Sequence, residues 1–390
     1  MTESGPPSRW QRDTLGMNTV MKASGSAEFL GMVPALAGYT PTRSIVLTPF
    51  EGTRTYGALR MDLPEDASVE FAEQVVALAA RVRRTDAVAI VVYCEQRAEP
   101  TRDGLVLPHA VLVDQVIDAA EEQRLGIVDA LCVTPDGWAS YLVDDPSLHP
   151  LSEISAAAVP PEASPRPGDQ SAGAGLPTFD LAAKERVGRA LVDVSGVLAS
   201  SRPVAPSTHQ RVNPEALAAA LLLDDIPALF EAALDLPADP PPYACAALLW
   251  LLDRPLYRDV AITQWARDEA AGVDVLAQQL DFRDTGRLPD VDSAFLMMGE
   301  GPRPDPARLR RALDTARVLA AIAPSPQRIG PLTVAAWLAW ALGHATHASQ
   351  HLAEAHRIDP DYSFGQLLST LMNARPIPDW AFERRSDEAA

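Results

Sequence analysis

Carboxylates, imidazoles and thiols are the side chains most able to do chemistry, and in this chain they stand out in three places. The stretch GWASYLVDDPSLHP, Gly137 to Pro150, sets Asp144 and Asp145 side by side just after Trp138 and Tyr141. Adjacent carboxylates at a strand end can hold a cation or a basic group, with the two aromatics as apolar walls. Two carboxylates are fewer ligands than a hard cation takes, and His149 adds only one. The competing reading is a solvated turn closed by an Asx hydrogen bond. Tyr39 and Arg43, in the first loop, join Trp138, Tyr141, Asp144 and Asp145 as candidate ligand-binding residues, because α/β sheets place ligands at strand ends.

The second place is GHATHASQHLAEAH, where His344, His347 and His351 recur at spacings of three and four and can share one helical face. No glutamate follows in the HExxH register, and a turn at Gly343 would take His344 off the helix. The expectation is solvated histidines on a polar face and no metal. The third place is the set of three cysteines, Cys94, Cys132 and Cys245, each inside an apolar run and without paired spacing. That excludes a disulfide framework or a zinc ribbon and fits a reducing cytoplasm. Cys94 and Cys132 fall on expected strands, as small hydrophobes.

No GxSxG elbow, Walker A loop or GxGxxG after a strand is present, and His109 sits in an expected helix beside Pro108 with no nucleophile nearby in sequence. No catalytic residue is assigned and no cofactor is expected.

These residues need elements to position them. Residues 1–18 read as a disordered leader, and 19–152 as an α/β sheet domain. Ser26 is placed to cap a helix through AEFLGMVPAL. RSIVLTPF and YGALRMDLP read as a hairpin around EGTRT. DASVEFAEQVVALAARVRR has the 3.6-residue stripe of an amphipathic helix, with Asp66 or Ser68 at its start. DAVAIVVYCE is apolar throughout, as a strand covered on both faces should be. LPHAVLVDQVIDAAEEQRLG gives a second helix closed by Gly126, and IVDALCVTPDGWASYLV gives two strands around Pro135-Asp136-Gly137. On an extended strand Trp138 and Tyr141, three apart, point to opposite faces.

Residues 153–178, rich in Pro, Ala, Gly and Ser, read as a linker. From 179 to 386 the pattern is helical, with Asn213-Pro214 and Asp305-Pro306 as helix starts. Within it Gly343, Ala348, Leu352, Ala355, Asp359 and Pro360 fall at the spacings of a tetratricopeptide-type repeat, spanning 331–373. The flanking helices 305–323 and 361–373 would have to stack on that pair as degenerate repeats. The fold class expected is therefore an α/β (α+β) sheet domain followed by an all-α, tetratricopeptide-like domain.

The formal charge is −19, spread over both halves: residues 21–152 carry 10 Lys/Arg against 19 Asp/Glu, and 153–390 carry 21 against 31. An acidic surface repels phosphate backbones and anionic lipid, so neither nucleic acid nor membrane is an expected partner. The basic cluster RVRR, at Arg81 to Arg84, ends a helix and complements its dipole. No apolar run reaches spanning length and no signal-peptide core is present, so a cytoplasmic location is expected.

FLGMVPALAGYTPTRSIVLTPFEGTRTYGALRMDLP resembles the opening of an actinobacterial family known only as domain-of-unknown-function family number 4192. The match rests on Ala37-Gly38-Tyr39, Pro41, RSIVLT, and the Asp62 and Pro64 of RMDLP. GWASYLVDDPSLHP is similar to the family's WxSYLCxDPxCCP segment at Trp138, Ser140, Tyr141, Leu142, Asp145, Pro146 and Pro150. Val143, Leu148 and His149 stand where that pattern has cysteines, so no thiol or metal role of those positions carries over. The helical pair with its DPDYS ending is a third match. The resemblance implies an α/β domain followed by helices, and it brings no activity.

Two functions remain in competition. The first is a non-enzymatic interaction or scaffold protein whose helical domain docks a protein partner or self-associates. The second is an enzyme or a small-molecule or metal-binding domain with its site near Asp144 and Asp145.

Overall fold

The computed structural model describes residues 23, 25–55, 57–82, 84–102, 104–154, 165, 167–200, 213–287 and 292–382. The leader expected at 1–18 and positions 155–164 and 166 of the expected linker lie outside the described residues. The chain divides into two compact units, Met1–Asp169 and Gln170–Ala390.

The first unit is built in the order α1 (Ser26–Ala37), β1 (Ser44–Glu51), β2 (Arg54–Thr55), β3 (Leu59–Asp62), α2 (Val69–Arg81), β4 (Ala87–Tyr93), β5 (Glu99–Thr101), β6 (Gly104–Val106), α3 (Ala110–Glu122), β7 (Gly126–Thr134) and β8 (Gly137–Ser140). Its six-stranded sheet runs β2-β1-β4-β7-β8, with β3 also paired to β1. Only β4 and β7 are parallel; the other pairings are antiparallel. The apolar run of β4 has the expected cause. Val88, Ile90 and Val92 pack on one face with Val75, Val76 and Val113 of α2 and α3. Ala89, Val91 and Tyr93 pack on the other with Phe29, Leu30 and Val33 of α1.

The helix ends follow the capping signals of the sequence at some positions and not at others. Ser68 caps α2, its hydroxyl accepting from Phe71 N–H at 3.1 Å. Ser26 is the first residue of α1 rather than its cap, and its hydroxyl donates to Asp129 Oδ2 at 2.6 Å, tying α1 to β7. Gly126 does not close α3: the helix ends at Glu122, Arg124 takes the left-handed conformation (φ 61°), and Gly126 opens β7. The β5–β6 hairpin was not foreseen, because a Glu-Pro-Thr strand carries no apolar alternation.

The second unit is helical, with no strand among the described residues: α4 (Leu181–Ser200), α5 (Pro214–Leu221), α6 (Ile226–Ala232), α7 (Pro242–Leu252), α8 (Pro255–Ala266), α9 (Glu269–Thr285), α10 (Asp292–Met297), α11 (Pro306–Ile322), α12 (Ile329–Ala341), α13 (Ala345–Ile358) and α14 (Ser363–Ala374). Asn213 and Asp305 cap α5 and α11 through their side chains, with proline at the first helical position. Gly343, at φ 81°, makes the α12–α13 turn. The boundary between units falls inside the stretch read as linker. Its last part belongs to the helical unit: Leu176 packs with Ala320, Leu332 and Ala355, and the Arg317 guanidinium donates to the Gly173 and Gly175 carbonyls.

α12 is the most buried helix, and its two tryptophans explain why. Trp337, Trp340 and Trp380 meet edge to face with centroids 6.2 to 6.5 Å apart. Each indole N–H finds a carbonyl: Trp337 that of Met297, Trp340 that of Arg375, Trp380 that of Ala341. Aromatic bulk and a satisfied donor together suit a closed core.

Candidate functional site

In the sheet unit, side chains with chemical potential converge where β4 and β7, the parallel pair, reach their C-terminal ends. Alternation sorts them onto two faces. Val92 lies opposite Cys132, so Cys94, two residues on, shares the Cys132 face. Tyr93 lies opposite Val133, which lies opposite Trp138, so these three share the α1 face.

On the first face the Cys94 thiol donates to the carbonyls of Gln96 and Val133 at 3.6 and 3.8 Å. Cys132 is buried with Leu107 and Ala139, and Cys94, Leu105, Tyr141 and Leu148 pack around that cluster. The neighbouring Cys132 thiol lowers the Cys94 thiol from its ordinary range, against the opposing effect of burial. The neighbouring Cys94 thiol, with burial, pushes the Cys132 thiol far up. Tyr141 O–H donates to the Pro108 carbonyl at 2.6 Å, and burial raises its phenol far above normal. His109, next to Pro108, is the left-handed N-cap of α3 (φ 57°) rather than a residue inside the helix, and burial lowers its imidazole below the usual range.

On the second face Tyr93 is 9% exposed and Trp138 7%, yet the Tyr93 hydroxyl and the Trp138 indole N–H have no hydrogen-bond partner among the described residues. The Trp138 ring stacks on His149 at 4.4 Å. The two backbones exchange hydrogen bonds at 2.9 and 2.8 Å, so the stretch from Gly137 folds back on itself. Trp138 and Tyr141 therefore do take opposite faces, as their spacing requires.

The other candidates are dispersed. Arg43 adopts φ 45° and its guanidinium faces Glu95 at 3.9 Å, both groups exposed, at the sheet end that carries Cys94. Tyr39 is half-buried near Arg60 and Asp62; burial raises its phenol and Arg60 opposes that. Asp144 and Asp145 are exposed in the bend between Tyr141 and His149, and neither carboxylate has a hydrogen-bond or ion-pair partner among the described residues.

The histidine expectation fails in one respect. His347 and His351 are buried, not solvated. Arg317, which donates to the Gly173 and Gly175 carbonyls in the stretch that the sequence placed in the linker, faces His351. His351 is held neutral, lowered to about 4 by burial, then by Arg317 and His347. Among the described residues no group of three or more His, Cys, Asp or Glu side chains could hold a metal ion. No helix of the described residues is long and apolar enough to cross a membrane.

Taken together, a mixed sheet unit followed by a helical unit defines a two-part α/β-plus-α protein. The family described as "Domain of unknown function (DUF4192)" matches residues 27–283 and 291–378, and the chain belongs to it. No curated protein and no solved structure matches the chain.

Proposed function

We propose that this is a cytoplasmic, non-enzymatic interaction module whose helical unit docks the basic amphipathic segment of a protein partner. One observation carries the reading. α5 and the 3-10 turn after it leave Leu217 (46%), Leu221 (59%) and Leu222 (44%) exposed. Clustered apolar side chains on a surface with a polar rim mark interaction sites. The rim is acidic, with Glu215, Asp224 and Asp225 exposed beside the leucines, so charge complementarity selects a basic partner and opposes a second acidic copy of this chain. The α12–α13 hairpin, with Gly343 at its turn and Ala348, Leu352 and Ala355 buried, supports a tetratricopeptide-like stacking of α11 to α14 within the same unit. The test places a photo-crosslinking residue at position 221 in the native host, then measures the captured protein's affinity in purified form. The expected result is a partner with a basic amphipathic segment whose Kd rises at least tenfold on L217E/L221E and stays unchanged on V273E. Unchanged affinity in the double variant, or self-association through this helix, overturns it.

A second reading is favoured by the Tyr93 hydroxyl and Trp138 indole, unpartnered among the described residues: a small-molecule site on the α1 face of the sheet at Tyr93 and Trp138, with Tyr141 outside it on the opposite face. Buried polar groups without partners are costly and are expected to find them. Thermal-shift screening against nucleotides and divalent cations tests it. A stabilising ligand whose effect falls on W138F supports the site, and a flat response removes it.

A further inference from the structure

We infer that the α1 face of the sheet binds a neutral, apolar small molecule by a carbonyl-type acceptor, held by the Tyr93 hydroxyl and the Trp138 indole N–H. The inference rests on the second functional reading and names the chemistry of that site. Strand register aligns one row across the sheet on this face: Asp62, Ser44, Tyr93, Val133 and Trp138, from β3, β1, β4, β7 and β8 in turn. His149 extends the row through its bridge to Trp138 and stacks on the indole. At the β3 end the polar groups satisfy one another. The Ser44 hydroxyl donates to the Thr42 carbonyl and accepts from Arg60 Nε, both at 2.6 Å, and the Arg60 guanidinium pairs with Asp62. Further along the row that pattern stops. Tyr93 and Trp138 are each more than nine-tenths buried, yet their polar atoms have no partner among the described residues. Buried polar atoms are nearly always hydrogen-bonded, so two such donors in one row call for an acceptor.

The donors fix the class of ligand. An indole N–H can only donate, and a phenol brings one O–H to donate. An anion does not fit as the acceptor. Arg60 is already paired with Asp62, and His149 faces Glu153 at 3.4 Å, so the row holds no spare positive charge. A buried anion without a counter-charge is strongly disfavoured, whereas a neutral carbonyl is not. The surroundings are apolar: Val91 and Leu131 from the sheet, Phe29 and Val33 from α1, and Val133 between the two donors. They suit a hydrocarbon or aromatic body. The opposite face is packed with side chains of both α2 and α3, whereas among the described residues α1 is the one helix over this row and the one that has to shift to admit a ligand.

The test follows the tryptophan indole N–H resonances of the full chain by NMR during titration with three probes. Coumarin is the neutral carbonyl probe, coumarin-3-carboxylate its anionic counterpart, and naphthalene a hydrocarbon of similar shape. The Trp138 resonance is the one lost in W138F, or the one with a cross-peak to the His149 ring stacked on it. Coumarin is expected to move that resonance downfield to saturation, with a Kd that rises about fivefold in Y93F, as the loss of one neutral hydrogen bond implies. Naphthalene should bind more weakly, with the same Kd in Y93F, and the carboxylate should leave the resonance in place. Movement by the carboxylate and not by coumarin keeps the site and overturns the ligand class inferred for it. An unchanged coumarin Kd in Y93F overturns the role of Tyr93 and the inference with it. No movement with any probe leaves buried water as the partner and overturns both this inference and the reading beneath it. If Y93F misfolds, the wild-type titrations decide between coumarin and its carboxylate.

Discussion

A methyl group on Gly137 would sit 2.5 Å from the His149 carbonyl oxygen, a backbone atom that cannot swing aside. The two-bond bridge between Trp138 and His149 depends on that close approach. G137A should therefore cost about 1–3 kcal/mol, the usual range for overpacking, and should disturb the indole–imidazole stack. Chemical denaturation and the Trp138 fluorescence check this, and an unchanged midpoint rejects it. At His351 the argument is electrostatic. The folded state keeps the imidazole neutral down to about pH 4, whereas the unfolded chain takes up its proton below about 6.5. Stability is therefore full above pH 6.5 and falls as the pH drops toward 4. Between pH 7 and 5 this one group should remove on the order of 2 kcal/mol. H351M, which has nothing to titrate there, should lose that much less over the same interval in urea melts. Equal slopes in the two proteins would exclude the effect. Spacing read the helical face of His347 and His351 correctly and their exposure wrongly, since periodicity says which residues share a face and not what covers it.

At the scale of elements, α12 shows how a helix without an amphipathic stripe is held. Every residue from Gly330 to Ala341 is buried, and three tryptophans lock it to the 3-10 turn at Asp379–Phe382. W380A should cost about 3–5 kcal/mol, the range for emptying a large aromatic site. It also leaves the Ala341 carbonyl without the indole donor now 3.1 Å away. W380F, which keeps most of the volume, should cost clearly less; similar losses in both would show that the cavity is not the cause. Element types were readable from period and caps, as Asn213-Pro214 and Asp305-Pro306 illustrate. That Cys94 and Cys132 share one face of the sheet was not readable. It depends on which strands are neighbours and on their register, and no spacing within a single sequence encodes the pairing of Val92 with Cys132. The thiols looked like two small hydrophobes because each strand, taken alone, is only apolar.

For the whole molecule, the separation of the chain into Met1–Asp169 and Gln170–Ala390 has a consequence for folding. Each unit owns a core: Ile45, Val88, Ile90 and Val113 belong to one, Phe230, Trp265, Trp337 and Leu352 to the other. A unit with its own core and its own satisfied helix ends folds on its own. Residues 23–169 and 170–382, made separately, should each unfold in a single cooperative transition. Trp138 is the only tryptophan of the first fragment, so its emission reports that unit alone, and it should be blue-shifted as in the full chain. The cut is placed before Gln170 rather than at 178, where the composition changes, because Arg317 uses the carbonyls of Gly173 and Gly175 and Leu176 fills the α11–α13 groove. A helical fragment begun at residue 179 should accordingly melt lower than one begun at 170. A red-shifted first fragment, or equal melting of the two helical fragments, would show that the units do not divide here.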